Sequence, residues 1–499
     1  MDMKKSFVAA LLLIPLTVFG QNRVQQFIDQ RMKTDSLLIN AVVGILAVDE
    51  NDKEIASWNP DMPLLTASTM KTITTGLGYE VLGPDYRFST RVAYDGWIER
   101  GVLHGNLYIV GGADPTLGSR DTIAFPIDSI FGVWAKAISD AGIRRIDGSI
   151  IGDDRIYEEE SIPSSWSYGN IGYDYGSGTS GLSFCENLSF FDIEAGEEIG
   201  DPVRITPVGP CSPRMTYINE VTTGEKGEGD NTEYFASSIT PIGKFEGTFG
   251  IDAKPRTLAL SNKYGPATCA SEFAAFLGHR GIGCKGTTDV QEMAYDYPVP
   301  PQQNLTYIAE TFSPELRRIV KVTNTISNNF FAETIFKMVG KTLLERKTGA
   351  PCYGISYSDA RRVIKEYLLE RGVSTYGYTQ DDGSGLSRQN YVSPRFFTRF
   401  YAMMATSPDF REYLSSFPGP GRPGTLQTVL AKADPAIKKT IYAKSGSLSS
   451  VRCYAGYVNG KRGLIRFAIL VNNYDCPTRK VQPRIEGFLE ELGKYVNMQ

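Results

Sequence analysis

The apolar runs near the two ends of the chain are short and bounded by turn residues, as in β-strands. The segment NAVVGILAVDENDKEIASWNP predicts a strand, a turn around Asn51-Asp52 and a second strand. Towards the other end, SVRCYAGYV and LIRFAILVNNY flank the turn NGKRG, which is the pattern of an antiparallel hairpin with well-buried strands. We therefore expect a β-hairpin near each end of the chain.

Helical spacing of apolar residues marks several other segments. It begins at Ser68 in LLTASTMKTITTGLGYEVL and resumes in IVKVTNTISNNFFAETIFKMVGKTLLE. The pattern predicts a further helix that is capped by Ser358 and ends before Gly372, and another with Pro394 in its first turn. The closing segment PRIEGFLEELGKYV is an amphipathic helix, and its acidic polar face favours packing on a sheet over docking to a membrane.

Residues 92–302 show a different pattern, with many glycines, short strand-like runs such as GNLYIVGG, and isolated helices such as SIFGVWAKAISDAG. We interpret this region as an insertion of one or two accessory domains between residues 21–91 and 303–499. The chain has 499 residues, and one hydrophobic core stops growing at about 250–300 residues, so two or three domains are expected.

Composition excludes some classes of function. With 41% hydrophobic and 22% charged residues the chain is globular, and its net charge of −4 leaves no basic stripe for nucleic acid. Seven cysteines could form up to three disulfides with unknown pairing, or be buried free thiols. Because only two histidines and no C-x-x-C pair occur, a zinc site is poorly supported, and we expect no cofactor.

The first twenty residues predict export from the cytoplasm. Lys4 and Lys5 precede an apolar run over residues 7–19, and Gly20 fits a cleavage site. A transmembrane anchor needs about 20 apolar residues, whereas this run is shorter and contains Pro15. We therefore expect a signal peptide cleaved near Gly20, a periplasmic or extracellular protein, and no stable membrane anchor.

Three short motifs carry candidate chemistry. In Ser68-Thr69-Met70-Lys71, positions i and i+3 share a helix face, so the Lys71 amine can take the proton of the Ser68 hydroxyl. In Ser327-Asn328-Asn329, a second hydroxyl can relay a proton and the Asn329 amide can hold a substrate carbonyl. In Lys444-Ser445-Gly446, a cation and a hydroxyl can receive a carboxylate where Gly446 permits close approach. Each motif alone also fits an ordinary helix turn, helix cap or surface turn.

Taken together, the order S-x-x-K, S-x-N, K-S/T-G resembles the β-lactamases and penicillin-binding proteins. More narrowly, the chain resembles the class C low-molecular-mass penicillin-binding proteins, the D-alanyl-D-alanine carboxypeptidase/endopeptidase family. The segments that carry this resemblance are GGADPTL, SNNFFAE, DGSGLSRQNYVSP and KSGSL, together with the long insertion between the first two motifs.

The resemblance implies an α+β fold, in which a DD-peptidase/β-lactamase-like domain, an antiparallel sheet flanked by helices, is interrupted by the accessory insertion. It implies that Ser68 is the acylated nucleophile, that Lys71 is its general base, and that Ser327 passes the proton to the leaving group. The implied substrate-binding residues are Asn329, Lys444, Ser445 and Ser447, with the backbone N–H groups of Ser68 and Ser447 as the oxyanion hole.

The implied partners are peptidoglycan stem peptides as substrates and β-lactam antibiotics as inhibitors; the sequence does not determine the oligomeric state. Family members often carry an acidic residue shortly after a tryptophan, to meet the third residue of the stem peptide. Here Asn170 falls at that place, with Asp174 close by. We expect the insertion to be dispensable for opening a small β-lactam but not for handling wall fragments.

Two alternatives share the first chemical step, namely a β-lactamase and a non-turnover wall-binding or β-lactam-sensing protein. A β-lactamase is disfavoured by the length of the chain and by the lack of an E-x-x-L-N segment.

Another segment, Lys347-Thr348-Gly349, also competes for the place of the third motif, and it is nearer the usual spelling than Lys444-Ser445-Gly446. We reject it because Lys and Gly are ordinary residues at a helix end.

Overall fold

The computed structural model describes residues 22–158, 161–237 and 239–498, so the expected signal peptide lies outside the described residues. The helices are α1 Arg23–Thr34, α2 Ser36–Ile39, α3 Met70–Leu82, α4 Ile127–Asp140, α5 Gly265–Gly278, α6 Val290–Asp296, α7 Leu316–Thr325, α8 Asn329–Thr348, α9 Tyr357–Glu370, α10 Pro394–Ala405, α11 Phe410–Ser416, α12 Pro435–Lys438 and α13 Thr478–Asn497. The strands are β1 Val42–Val48, β2 Glu54–Trp58, β3 Leu64–Leu65, β4 Ser89–Tyr94, β5 Trp97–Glu99, β6 Val102–His104, β7 Leu107–Gly111, β8 Arg145–Ile146, β9 Ser149–Asp153, β10 Leu188–Glu194, β11 Arg204–Pro207, β12 Thr216–Gly224, β13 Glu233–Ala236, β14 Ile242–Gly250, β15 Arg256–Ser261, β16 Gly286–Asp289, β17 Thr306–Phe312, β18 Tyr378–Thr379, β19 Tyr391–Val392, β20 Ile441–Leu448, β21 Val451–Gly460 and β22 Gly463–Asn472.

The two predicted hairpins are confirmed, and they meet in one antiparallel five-stranded sheet of order β2-β1-β22-β21-β20. Along β21 the side chains alternate between two cores, as a two-residue period requires. Cys453, Ala455 and Tyr457 face the core that contains α3 and α8. Tyr454 and Val458 face the core that contains α13, so the closing helix packs on the sheet as predicted.

The predicted helices are present, with one correction at a cap. Helix α10 begins at Pro394 as expected, after Ser393 as its N-cap. Helix α9 begins two residues earlier than predicted, because the N-cap is Ser356 and not Ser358. The Ser356 backbone is extended and its side chain accepts a hydrogen bond from the Asp359 N–H, whereas Ser358 lies inside the first turn.

The accessory region is built on a second five-stranded sheet, of order β16-β9-β7-β4-β17. Helices α4 and α5 pack on this sheet over a shared apolar core. Two three-stranded sheets, β11-β10-β15 and β12-β14-β13, enclose a separate small core. Strands β4 and β17 pair with each other, so this sheet contains residues on both sides of the expected boundaries at 92 and 302.

Two further expectations concern covalent structure and membranes. Within the described residues, which include every cysteine, all seven cysteines are free thiols, and three of them, Cys185, Cys269 and Cys453, are buried. No helix in the described ranges is both long enough and apolar enough to span a bilayer.

Candidate active site

The Ser68 hydroxyl lies at a sharp turn between β3 and α3. Residues Ala67–Thr69 form one turn of 3-10 helix, and Ala67 has a φ of +45°, a left-handed conformation that is uncommon for a residue with a side chain. The turn is fixed by the carbonyl of Thr66, which accepts hydrogen bonds from the backbone N–H and the hydroxyl of Thr69. Ser68 is therefore held, partly exposed, at the N-terminal end of α3.

One helical turn further on, the Lys71 ammonium group is fully buried and has three oxygen partners. Its Nζ lies 2.9 Å from Ser68 Oγ, and it donates to Asn329 Oδ1 at 2.5 Å and to the Ser384 carbonyl at 2.8 Å. The predicted i, i+3 contact between Ser68 and Lys71 is therefore present.

Burial lowers the pKa of Lys71 to about 7. The nearby carboxyl groups of Asp382 and Glu333 oppose this shift, because negative charge favours the protonated amine. Burial also raises the pKa of both carboxyl groups, and for Glu333 the neighbouring Asp382 adds to the shift. An amine that titrates near neutrality beside a hydroxyl is suited to act as a general base.

The second motif lies at the start of α8 and faces the same point. Ser327 has a φ of +68°, and its hydroxyl accepts a hydrogen bond of 2.9 Å from Lys444 Nζ. Asn328 is the N-cap, with its side-chain oxygen 2.9 Å from the Phe331 N–H. Since Asn329 contacts Lys71, the two ends of the motif link the first motif to the third.

The third motif lies on β20, the edge strand of the main sheet. Lys444 is fully buried, and its Nζ also donates to the Ser445 carbonyl at 2.9 Å. Burial, together with the charges of Lys71 and Arg452, lowers the pKa of Lys444 well below its usual value. A substrate carboxylate beside Nζ would favour the charged form again.

Gly446 lets β20 pass close to the nucleophile. A Cβ atom there would lie 2.6 Å from the Thr66 carbonyl oxygen and 3.0 Å from the Ser68 backbone nitrogen. Ser445 is buried beside Lys444, and Ser447 is exposed one residue beyond Gly446. The strand thus brings Ser445 and Ser447 alongside the turn that holds Ser68.

Four residues that surround Lys71 or hold its neighbours were not predicted from the sequence, namely Glu333, Asp382, Ser384 and Trp166. Glu333 accepts hydrogen bonds from the backbone N–H groups of residues 383 and 384, which orients the Ser384 carbonyl towards Lys71. Asp382 accepts one from Trp166 Nε1 at 2.9 Å. Glu333 could have been noticed as an acid in the apolar run FFAETIF, one helical turn after Asn329. The contact between Trp166 and Asp382 joins distant segments and has no local signal.

The two candidate substrate-contact residues lie in a loop of the accessory region. Asp174 is exposed and begins a short 3-10 turn, whereas Asn170 is partly buried. The carbonyl of Tyr175, the next residue, accepts a hydrogen bond of 2.7 Å from Asn329 Nδ2. The loop therefore reaches the second motif at Tyr175, directly beside Asp174.

The chain is similar to known D-Ala-D-Ala carboxypeptidases. The profile of the D-Ala-D-Ala carboxypeptidase 3 (S13) family matches residues 24–492. A D-alanyl-D-alanine carboxypeptidase from an Actinomadura species is 28% identical over 491 residues, covering 93% of this chain and 86% of that one. The D-alanyl-D-alanine carboxypeptidase DacB from Haemophilus influenzae is 24% identical over 453 residues, with 88% and 87% covered.

Solved structures show the same fold. Penicillin binding protein 4 (dacB) from Haemophilus influenzae superposes with a TM-score of 0.80 at 22% identity, covering 95% of this chain and 99% of that one. A second structure of that protein, in complex with a β-lactam, gives a TM-score of 0.76 at 21% identity, with 95% and 100% covered. The expected α+β fold of the β-lactamase/DD-peptidase type is thereby confirmed.

Proposed function

The chain belongs to the D-Ala-D-Ala carboxypeptidase 3 (S13) family, and we propose that it acts through an acyl-enzyme formed on Ser68. It is a serine-type D-Ala-D-Ala carboxypeptidase. The observation that carries our assignment of the nucleophile is the 2.9 Å contact between Ser68 Oγ and the buried Lys71 amine. A hydroxyl becomes a competent nucleophile when such a base can take its proton.

In the proposed acylation step, neutral Lys71 takes the proton as Ser68 Oγ attacks the carbonyl between the two D-alanines. The backbone N–H groups of Ser68 and Ser447 stabilise the resulting oxyanion. Ser327 then relays the proton held by Lys71 to the departing amine of D-alanine, the C–N bond breaks, and Lys71 is neutral again. Water later attacks the ester on Ser68 and releases the shortened peptide.

Substrate orientation is assigned to the residues that border these groups. Asn329 holds the peptide amide, while Lys444 and Ser445 receive the terminal carboxylate of the substrate. Close packing of β20 on the nucleophile turn at Gly446 supports this placement, because an edge strand can align an extended peptide by backbone hydrogen bonds.

We extend the proposal to substrates and cellular location. A β-lactam amide resembles the scissile bond, and the related Haemophilus influenzae protein has been solved with a β-lactam, so Ser68 should be acylated by penicillins. Stem peptides of peptidoglycan are the proposed substrates, cross-linked ones included, which would add endopeptidase action. An exported protein, with a signal peptide cleaved near Gly20, fits these substrates.

The division of the chain is also part of the proposal. The accessory region runs from β4 to β17, residues 89–312, because these two strands pair inside its main sheet. Residues 22–88 and 313–498 then form the catalytic domain, which contains all three motifs.

Labelling with a fluorescent penicillin tests the nucleophile. We expect stoichiometric labelling of the wild-type protein, none of Ser68→Ala, and a comparable loss in Lys71→Ala, because residues that act as one unit are not additive. Ser129→Ala, on the exposed face of α4, is the matched control and should label normally. Persistent labelling of Ser68→Ala would refute the assignment.

Turnover assays separate the carboxypeptidase from its alternatives. Steady release of D-alanine from a pentapeptide distinguishes an enzyme from a protein that is acylated without turnover. Hydrolysis of a chromogenic β-lactam faster than of the pentapeptide would instead indicate a β-lactamase. The same assay on cross-linked muropeptides measures the endopeptidase action.

A further inference from the structure

Three consecutive residues of the accessory region adopt the left-handed conformation. Cys185, Glu186 and Asn187 have φ values of +51°, +57° and +50°. A single such residue with a side chain is uncommon, and a run of three is costly because each Cβ approaches its own carbonyl oxygen. Strain of this kind persists only where surrounding contacts impose it, and it clusters at functional sites.

The contacts that impose this turn come from both of its sides. Asn187 accepts a hydrogen bond from the Phe184 N–H at 3.1 Å and donates to the Gly178 carbonyl at 2.8 Å. The Cys185 N–H donates to the Leu117 carbonyl at 2.9 Å. The backbone is thus fixed on either side of Glu186, and the turn directs the Glu186 side chain towards Asn328.

The Glu186 carboxylate lies against the second motif. Its Oε2 accepts a hydrogen bond of 2.8 Å from Asn328 Nδ2, and its Oε1 accepts one of 2.6 Å from Ser119 Oγ. The side chain is partly buried. Burial raises the pKa of Glu186, while its two hydrogen-bond donors act in the opposite direction.

The Asn328 side chain is used at both of its ends. Its oxygen caps α8 at the Phe331 N–H, and its nitrogen is held by Glu186. The residues on either side, Ser327 and Asn329, contact Lys444 and Lys71. Any rotation of the Asn328 backbone would therefore move both of those contacts.

We propose that Glu186 is a positioning residue, supplied by the accessory region, which fixes Asn328 and thereby orients Ser327 and Asn329 for acylation. The inference rests on the proposed function, because it takes Ser327 and Asn329 to act on the substrate. Glu186 does not touch the reacting atoms. Its removal should slow the acylation step and leave the concentration of penicillin needed for half-saturation nearly unchanged.

The first experiment compares variants of Glu186 by the rate of penicillin acylation at saturation. Glu186→Ala leaves the Asn328 amide without its partner, and we expect a loss of at least about tenfold. Glu186→Gln should retain most of the rate, because the amide oxygen can accept from Asn328 while its nitrogen donates to Ser119 Oγ. Glu194→Ala removes an exposed carboxylate of the same region, paired with Arg204, and is the matched control.

The second experiment exchanges the two groups. Asn328→Asp keeps the oxygen that caps α8 but sets two carboxylates against each other, so we expect a loss of at least about tenfold. In the double variant Glu186→Gln/Asn328→Asp, the amide at position 186 donates and the carboxylate at position 328 accepts. The hydrogen bond is thereby restored, and the rate should return to within a few-fold of wild type. A purely structural role would change the thermal unfolding midpoint without this paired recovery of rate.

The outcomes separate the inference from the function on which it rests. Labelling of the wild type that disappears in Ser68→Ala, in the same experiment, supports the proposed nucleophile. If that holds, equal acylation rates for all Glu186 variants, or no recovery in the double variant, would overturn the positioning role alone. If Ser68→Ala still labels, the proposed function fails first.

Discussion

Two segments of this chain have a lysine, a hydroxyl residue and a glycine in succession, yet their surroundings differ completely. Lys444 is fully buried on the edge strand β20, and its Nζ contacts Ser327 Oγ at 2.9 Å. Lys347 lies in the last turn of α8, where its side chain is 56% exposed and pairs with Glu366 at 2.7 Å. The segment nearer the usual spelling of the motif is thus the one outside the site.

The glycines differ as clearly as the lysines. Gly446 is required because β20 passes the Ser68 turn too closely for a side chain. Gly349 has a φ of +69° and ends α8, with open space where a Cβ would lie. One glycine permits close approach and the other permits a left-handed cap. The chemistry of a short motif therefore depends on which element carries it.

The largest expected effect comes from Lys444→Ala. In the proposed mechanism Lys444 receives the substrate carboxylate, so its removal should lower D-alanine release and penicillin acylation at least about a hundredfold. Steady-state kinetics on a pentapeptide checks this. Near wild-type rates would place the third motif elsewhere.

Gly446→Ala should have the next largest effect. The new methyl group would press on the Thr66 carbonyl and on the Ser68 backbone N–H, so we expect acylation to slow at least about tenfold. Gly349→Ala is the matched control, which should cost about 1 kcal/mol of unfolding free energy for the left-handed residue and leave acylation intact. A larger loss of acylation in Gly349→Ala than in Gly446→Ala would contradict the placement of the third motif on β20.

Lys444 and Lys347 differ in burial, and burial also lowers the pKa of Lys71. From this shift we predict that the acylation rate depends on pH. Because the pKa of Lys71 is lowered to about 7, the amine is protonated and inactive as a base below that pH and neutral above it. We expect the acylation rate to rise roughly tenfold between about pH 6 and about pH 8. A flat profile across this range, measured with a penicillin, would remove Lys71 as the base.

The smallest expected effect belongs to Lys347→Ala. The lysine forms a solvent-exposed ion pair with Glu366, and exposed pairs of this kind contribute little to stability. Acylation and D-alanine release should stay within a few-fold of wild type. A loss as large as that expected for Lys444→Ala would overturn our placement of the site.

The accessory region contacts the residues around Lys71 at three points that the sequence did not predict. Trp166 contacts Asp382, the Tyr175 carbonyl contacts Asn329, and Glu186 contacts Asn328. These contacts argue against the expectation that the insertion is dispensable for opening a small β-lactam, which stays a prediction to be tested by excising the insertion. Excision would remove hydrogen-bond partners from two of the segments that surround Lys71.

Much of the local structure was predictable from sequence, because it depends on neighbours along the chain. Short apolar runs bounded by turn residues specified the two hairpins, and helical spacing specified α8 and α10. The contact between Ser68 and Lys71 followed from one turn of helix. The order of the three motifs along the chain indicated the chemistry without any knowledge of the tertiary structure. The cap of α9 shows the limit, since two nearby serines compete and only backbone geometry chose Ser356 over Ser358.

The helix-end context of Lys347 let the sequence predict which lysine-hydroxyl-glycine segment joins the site, but only the tertiary structure brings Lys444 to Ser327 and shows which accessory residues contact the site. The contact between Lys444 and Ser327 spans 117 positions, and that between Glu186 and Asn328 spans 142. No periodicity carries information over such separations, because they are closed by the packing of whole sheets and helices. The burial that lowers the pKa of Lys71 likewise arises only when distant segments exclude water around it.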